Sequence, residues 1–130
     1  MVMTSSAPGH FTIADIGLTP IVGGQERLEA LIALIRDARE TLRLFYYMFA
    51  EDAAGTLVRD ALLEATQRGV AVSLTIDGFG STASDAFLEP LTTAGANICR
   101  FLPRFGRRYL LRNHQKMTLA DDRRALIGGF

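Results

Sequence analysis

The most informative part of the sequence is Asn113-His-Gln-Lys-Met-Thr-Leu-Ala-Asp121, followed by Arg123-Arg-Ala-Leu-Ile-Gly-Gly-Phe130. If residues 114–119 form a strand, every second side chain points to the same face. One face then carries His114, Lys116 and Thr118, and the other carries Gln115, Met117 and Leu119. We expect the first face to do chemistry and the second, more apolar face to pack.

The chemistry that this pattern favours is the binding of a phosphate ester. Lys116 supplies a fixed positive charge, and His114 supplies a nucleophile or proton carrier near neutral pH. A strand that holds an imidazole beside an ammonium group is suited to a phosphoryl centre.

The residues after this strand predict a hairpin. Residues 113–120 and 124–128 pair about a turn at Asp121-Asp122. Gly128 and Gly129 let the backbone approach closely either another strand or a substrate phosphate, and the sequence leaves both interpretations open.

Upstream of the hairpin, helical and strand patterns alternate. Apolar residues at helical spacing predict helices over residues 25–40, from a candidate N-cap at Thr56 to Gly69, and over residues 84–93. Buried strands are predicted at residues 42–49, 70–76 and 98–102, the first of them covered on both faces. The fold class is therefore α/β, a mixed, mostly parallel sheet flanked by helices, with β-α-β-α-β order plus a C-terminal hairpin.

Length and composition place these elements in one domain. Residues 1–20 are predicted to be a flexible leader with a short strand near residue 11, and residues 21–130 form the domain. His10 is predicted to be a surface histidine. The apolar runs fall short of the roughly 18 residues of a membrane span, and the start lacks a signal-peptide pattern, so we expect a cytoplasmic protein.

The single cysteine and the charge distribution bear on redox, metal and substrate chemistry. Cys99 is predicted to be a buried structural thiol, and no Cys/His spacing is typical of a metal site. Residues 100–124 carry a net charge of +6, whereas residues 1–99 carry −6. The basic segment leads into His114, so it favours an anionic substrate by electrostatic steering, although a solvated basic loop is the alternative.

Asp77 lies where ligands often bind in α/β sheets, at the carboxyl end of a predicted strand. Asp77 opens the loop Asp77-Gly-Phe-Gly-Ser81 and either orients a catalytic group or forms the turn. Tyr46 and Tyr47 are predicted to be core or rim residues rather than ligand contacts.

His114, Lys116 and Asp121 stand as His-x-Lys-x4-Asp, and Gly128-Gly129 follows after six intervening residues. This pattern resembles the HKD motif of the phospholipase D superfamily. Phe49-Ala-Glu-Asp-Ala-Ala-Gly55, Asp77-Gly-Phe-Gly-Ser81 and Arg112-Asn113-His114 extend the resemblance to the amino-terminal lobe of bacterial cardiolipin synthases. From about residue 25 to residue 130 the order and spacing of that lobe are kept, although Gln115 stands where the family often has Arg.

The resemblance implies a cofactor-free, metal-independent phosphodiester transfer through a phosphohistidine. His114 would attack phosphorus, Lys116 would neutralise the phosphoryl oxygens, and Asp121 would act either in catalysis or as a turn-stabilising residue. Substrate-binding candidates are Asn113, Arg112, Gly128 and Gly129, with Asn113 alternatively shaping the entry to the strand.

One complete site in this family needs two motifs, and this sequence contains one. A second lobe therefore comes either in cis, from a longer enzyme, or from an identical chain in a homodimer. We expect the isolated lobe to be inactive on phospholipid.

The implied function is phosphatidyl transfer of the cardiolipin synthase type. The substrate would be a phosphatidylglycerol-like glycerophospholipid at the surface of the inner membrane, with the protein peripheral to it. The alternatives are a homodimeric phosphodiesterase or nuclease, for which nucleic acid is the less favoured partner, and a non-catalytic fragment or lipid-surface binding module.

Overall fold

The computed structural model describes residues 9–102 and 115–128. In chain order its elements are β1 Phe11–Ile13, β2 Ile16–Leu18, α1 Gly24–Asp37, β3 Thr41–Tyr46, α2 Ala53–Gln67, β4 Ala71–Asp77, α3 Asp85–Ala94, β5 Asn97–Phe101, β6 Lys116–Ala120 and β7 Arg124–Gly128.

A five-stranded sheet in the order β5-β4-β3-β6-β7 forms the centre of the domain. Strands β3, β4 and β5 run parallel, connected by α2 and α3, whereas β6 is antiparallel to both β3 and β7. The α/β class, the β-α-β-α-β unit and the C-terminal hairpin are therefore confirmed. Two of the four strand pairings are parallel, so the sheet is mixed.

The core lies between the sheet and the three helices. Alternation along β3 buries Leu42 and Leu44, and β4 buries Val72, Leu74 and Ile76 in the same way. Leu31 and Ile35 of α1 and Leu62 of α2 close the core from the helix side. Full burial of one such aliphatic side chain stabilises the fold by about 1.5–3 kcal/mol, so this layer carries most of the packing energy.

Two helix starts are fixed by side-chain caps. The Asp52 carboxylate accepts a hydrogen bond from the Gly55 amide at 2.7 Å, so α2 begins one turn before the predicted cap. Thr56 lies inside the helix, where its hydroxyl donates to the Asp52 carbonyl oxygen. The capping prediction for Thr56 was wrong because Asp52, four residues earlier, accepts from the helix amide. Ser84, predicted to be the first residue of the third helix, is instead the N-cap of α3, where its hydroxyl oxygen accepts from the Phe87 amide.

The second face of the sheet carries no helix among the described residues. The strand register aligns one row of side chains across it, namely Cys99, Thr75, Phe45, Met117 and Ile127. We refer to this surface as the open face. The prediction that residues 42–49 are covered on both faces was wrong, because Arg43 and Phe45 point to the open face. The prediction of a buried thiol was also wrong, since Cys99 is exposed there.

Upstream of the domain, β1 and β2 form a small antiparallel hairpin. The short strand predicted near residue 11 is confirmed, and it pairs with a second strand that was not predicted. His10 is exposed, and its Nδ1 lies 3.0 Å from the Thr19 hydroxyl. Within the described residues, no helix is both long and apolar enough to cross a membrane.

Candidate functional site

Lys116 lies at the edge of the sheet where the parallel strands end. As the first residue of β6 it pairs with Tyr46, the last residue of β3, and with Gly128, the last residue of β7. Ligands of open α/β sheets bind outside the carboxyl ends of the strands. The sheet topology therefore brings Lys116 and Gly128 together at the edge where a ligand is expected.

The face that carries Lys116 is the helix-covered one. Thr118, two residues along β6, is fully buried, whereas Met117 is 39% exposed on the open face. The predicted alternation is present, but the assignment of the Met117 face as the packed one was wrong. A polar residue is buried in β6 because the Thr118 hydroxyl has a partner, the Tyr46 hydroxyl, 3.0 Å away.

Tyr46 belongs to both the core and the site. Its ring packs against the core cluster and meets Phe49 edge to face, with 6.5 Å between the ring centroids. Burial raises the pKa of its hydroxyl, and the hydrogen bond to Thr118 partly offsets that effect. The phenol therefore stays neutral at physiological pH, and it holds β3 and β6 together beside Lys116.

A groove of about 480 Å³ opens next to Lys116. Its walls come from the end of β2 and the segment after it, the first turns of α1, and β7. Polar side chains enter it from Lys116, Tyr46 and Arg27, and apolar ones from Leu18, Leu28 and Leu126. The groove is large enough for a small organic ligand, for which pockets of roughly 300–1,000 Å³ are usual.

Asp121 lies at the opposite end of β6 from Lys116. Its carboxylate accepts hydrogen bonds from the backbone amides of Arg39, Glu40 and Thr41, at 2.7–3.2 Å. These bonds hold the pKa of Asp121 below its usual range. The carboxylate thus stabilises the backbone of the connection between α1 and β3, and it is remote from the groove.

Asp77 also hydrogen-bonds to backbone. Its Oδ1 accepts from the amides of Phe79 and Gly80, both at 2.8 Å, and shapes the loop after β4. Of the two interpretations left open for Asp77, these contacts fit the turn.

Several predicted site residues lie outside the described part of the chain. They are His114, Asn113, Arg112 and Gly129, together with most of the basic segment that precedes them. Their roles remain predictions. In the two described ranges, no group of three or more His, Cys, Asp or Glu side chains is arranged to hold a metal ion.

Sequence reasoning missed two contributors to the site. Arg27 falls among the polar residues of the predicted helix 25–40, and Leu18 falls in the segment 1–20 that was predicted to be a flexible leader. Both line the groove because β2 and α1 pack near β7, which no local pattern reveals. The Gly23-Gly24 pair at the start of α1 was the one available sign that backbone there is closely packed or functional.

The family model described as "Cardiolipin synthase, PLD-like domain" matches residues 31–130. Cardiolipin synthase B of Escherichia coli strain K12 is 38% identical over 112 residues, which are 82% of this chain and 27% of that protein. Cardiolipin synthase 1 of Bacillus cereus is 33% identical over 114 residues, 84% of this chain and 22% of that protein. The chain thus spans about a quarter of the length of these relatives.

Among solved structures, the phospholipase D family member Nuc from Salmonella typhimurium superposes with a TM-score of 0.52 at 23% identity. The match covers 72% of this chain and 57% of that one. At this identity the likeness concerns the fold.

Proposed function

The chain belongs to the phospholipase D-like domain family of cardiolipin synthase, and from this premise we propose that it is one half-site of a phosphatidyltransferase. The observation that carries the proposal is the position of Lys116. It lies at the carboxyl edge of the sheet, beside a groove of ligand size, two residues after the only histidine in the motif.

In the proposed reaction, a ring nitrogen of His114 attacks the phosphorus of a glycerophospholipid. A P–N bond forms as the P–O bond to the headgroup alcohol breaks. The departing oxygen takes a proton from a histidine of a second lobe, in cis or in a homodimer. The hydroxyl of an acceptor alcohol then attacks phosphorus and gives its proton to the second-lobe histidine, the P–N bond breaks, and both histidines are regenerated.

Lys116 contributes charge in this scheme. Negative charge accumulates on the phosphoryl oxygens as the transition state forms, and a cation already in position stabilises it without reorganisation. Tyr46 and Thr118 support Lys116 by fixing β6 against β3. Asp121 acts at a distance, by holding the far end of β6 to the start of β3.

The test uses a substrate that needs only one half-site. In a short-chain phosphatidyl p-nitrophenol, the nitrophenolate leaves as an anion, so no second lobe is needed to protonate it. With ³²P in the phosphate, we expect a single burst of nitrophenolate and a label that is labile to acid and stable to alkali, as expected for phosphohistidine.

The chain contains two histidines, which supply a matched control. We expect His114→Ala to abolish both the burst and the label, and His10→Ala to retain them. Absence of label from the unmodified chain, or label that persists in His114→Ala, would contradict the proposal. Sustained turnover of natural phosphatidylglycerol by a gel-filtered monomer would contradict the need for a second lobe.

The same assay addresses the alternative functions. A thymidine p-nitrophenyl phosphodiester that labels His114 faster than the lipid ester indicates a nuclease. Binding to phosphatidylglycerol vesicles that survives His114→Ala, with no labelling by either ester, indicates a lipid-surface binding module.

A further inference from the structure

The groove beside Lys116 combines cationic and apolar walls. Arg27 and Lys116 both line it, and among its described lining residues there is no carboxylate. Leu18, Leu28 and Leu126 supply apolar surface in the same groove. A ligand that matches these walls carries negative charge next to a hydrocarbon segment.

The placement of Arg27 adds to the positive potential on one side of the groove. α1 begins at Gly24, and Arg27 lies in its first turn, half-buried, with its amide bonded to the Gly23 carbonyl oxygen at 3.0 Å. Its guanidinium lies back over the helix start, so that a Cβ added at Gly24 would meet Nη2 at 3.6 Å. The guanidinium therefore lies on the side of the groove where α1 begins.

We propose that this groove binds an acyl chain of an anionic glycerophospholipid, and that Arg27 selects for a negatively charged lipid. The inference rests on the proposed function, because it identifies which part of the same substrate lies next to the reacting phosphate. Hydrocarbon packs on Leu18, Leu28 and Leu126, while the phosphate end of the lipid lies between Arg27 and Lys116.

Equilibrium binding in the absence of chemistry tests this proposal. Titration calorimetry uses the full chain carrying His114→Ala, with dihexanoyl and dibutanoyl phosphatidylglycerol below their micelle concentrations, and with deacylated glycerophosphoglycerol. We expect the affinity to rise with chain length, by up to roughly fourfold for each methylene that becomes fully buried. Dihexanoyl phosphatidylcholine, which carries no net charge, is expected to bind at least tenfold more weakly than its phosphatidylglycerol counterpart.

Two substitutions separate the apolar and cationic contributions. Leu18→Gln is expected to weaken binding of dihexanoyl phosphatidylglycerol and leave that of the deacylated compound unchanged. Arg27→Gln is expected to weaken binding of both anions and to reduce the preference over phosphatidylcholine to less than threefold.

Matched controls come from the same elements. Ile16→Gln changes an exposed residue of β2 that does not line the groove, and Arg36→Gln changes an exposed arginine in the last turn of α1. Both are expected to bind like the parent chain, and thermal unfolding shows that each variant is folded.

Equal affinity for the acylated and deacylated compounds would overturn the proposal, as would equal losses in Leu18→Gln and Ile16→Gln. The outcome is independent of the labelling experiment. Label on His114 without chain-length dependence removes the groove proposal alone. Chain-length-dependent binding without label supports the groove and removes the proposed transfer.

Discussion

The two ends of β6 differ in what their side chains contact. At the Lys116 end the strand meets Tyr46, Gly128 and the groove. At the other end the carboxylate of Asp121 is engaged by three consecutive backbone amides of the α1–β3 connection. The two motif residues are separated by five positions, or roughly 16 Å along an extended chain.

A motif that is compact in the sequence therefore does not form one compact site in the fold. Because β6 is extended, its two ends lie far apart. Lys116 lies at the edge of the sheet where a ligand is expected, and Asp121 lies against the backbone of the α1–β3 connection. Asp121 also fixes the alignment of β6 on β3, since its amide donates to the Thr41 carbonyl oxygen at 2.9 Å. A slip of one residue would turn Lys116 to the open face.

The largest effect that this comparison predicts is on rate, from Lys116→Ala. Removing the cation is expected to slow the nitrophenolate burst about 100- to 1,000-fold, as loss of one preorganised charge-stabilising group does in other enzymes. The thermal unfolding midpoint is expected to change little, because the lysine is only half-buried.

Lys116→Arg is the matched variant, since it keeps the charge while altering its geometry. We expect it to recover part of the rate. A burst that is unchanged in Lys116→Ala would break the assignment of chemistry to this end of β6.

The next effect is on stability, from Asp121→Asn. Asparagine tolerates the left-handed backbone at this position, where φ is 53°, but offers one acceptor oxygen and no charge. We expect the unfolding midpoint to fall by several degrees, while the burst rate per folded molecule is unchanged. A lost burst with an unchanged midpoint would instead place Asp121 in catalysis.

The stability of the parent chain is expected to depend on pH through Asp121. Because the folded pKa of Asp121 is lowered, its stabilising contribution is fully present above about pH 4, the usual range of an unfolded-chain aspartate. It is lost as the pH falls through the lower folded pKa. Unfolding midpoints measured between neutral pH and pH 3 are expected to fall less steeply in Asp121→Asn.

Asp122→Asn is the control for both measurements. Asp122 has nearly the same backbone conformation, with a φ of 52°, but its carboxylate pairs with the exposed Arg43 guanidinium at 2.8 Å. Exposed ion pairs contribute little, so we expect the midpoint and its acid dependence to match those of the parent chain.

The smallest effect concerns the hydroxyl pair beside Lys116. Tyr46→Phe leaves the buried Thr118 hydroxyl without its partner, which is expected to cost about 1–2 kcal/mol of unfolding free energy. Adding Thr118→Val removes the orphaned hydroxyl, so the double variant is expected to be more stable than Tyr46→Phe. Denaturant unfolding of the parent chain, the two single variants and the double variant measures the coupling free energy between the two hydroxyls. Additive losses of unfolding free energy would argue against the hydrogen bond.

Much of the fold could be predicted from local patterns. Three local patterns predicted elements that the structure contains. They are the apolar spacing of α1, the β-branched run of β4, and the turn residues between β6 and β7. The start of α3 was predicted to within one residue, because the capping contact of Ser84 acts within one turn. The alternation of Lys116 and Thr118 against Met117 along β6 was also predicted.

The wrong predictions concern burial and contacts that depend on elements far apart in the sequence. Whether Phe45 and Cys99 are covered depends on which side of the sheet the helices occupy, and the apolar character of β3 says nothing about sides. Likewise Thr118 is buried because Tyr46, 72 positions away, satisfies its hydroxyl. The groove joins β2, α1 and β7, so its two unforeseen residues, Arg27 and Leu18, belong to no single sequence pattern.

The exposed Cys99 on the open face has a practical consequence. It is the sole thiol of the chain and stands in one register row with Thr75 and Phe45. A fluorophore or spin label attached there reports on that surface without any engineered cysteine. Quenching or immobilisation of the probe on mixing with a candidate partner lobe would reveal which side of the sheet such a lobe covers.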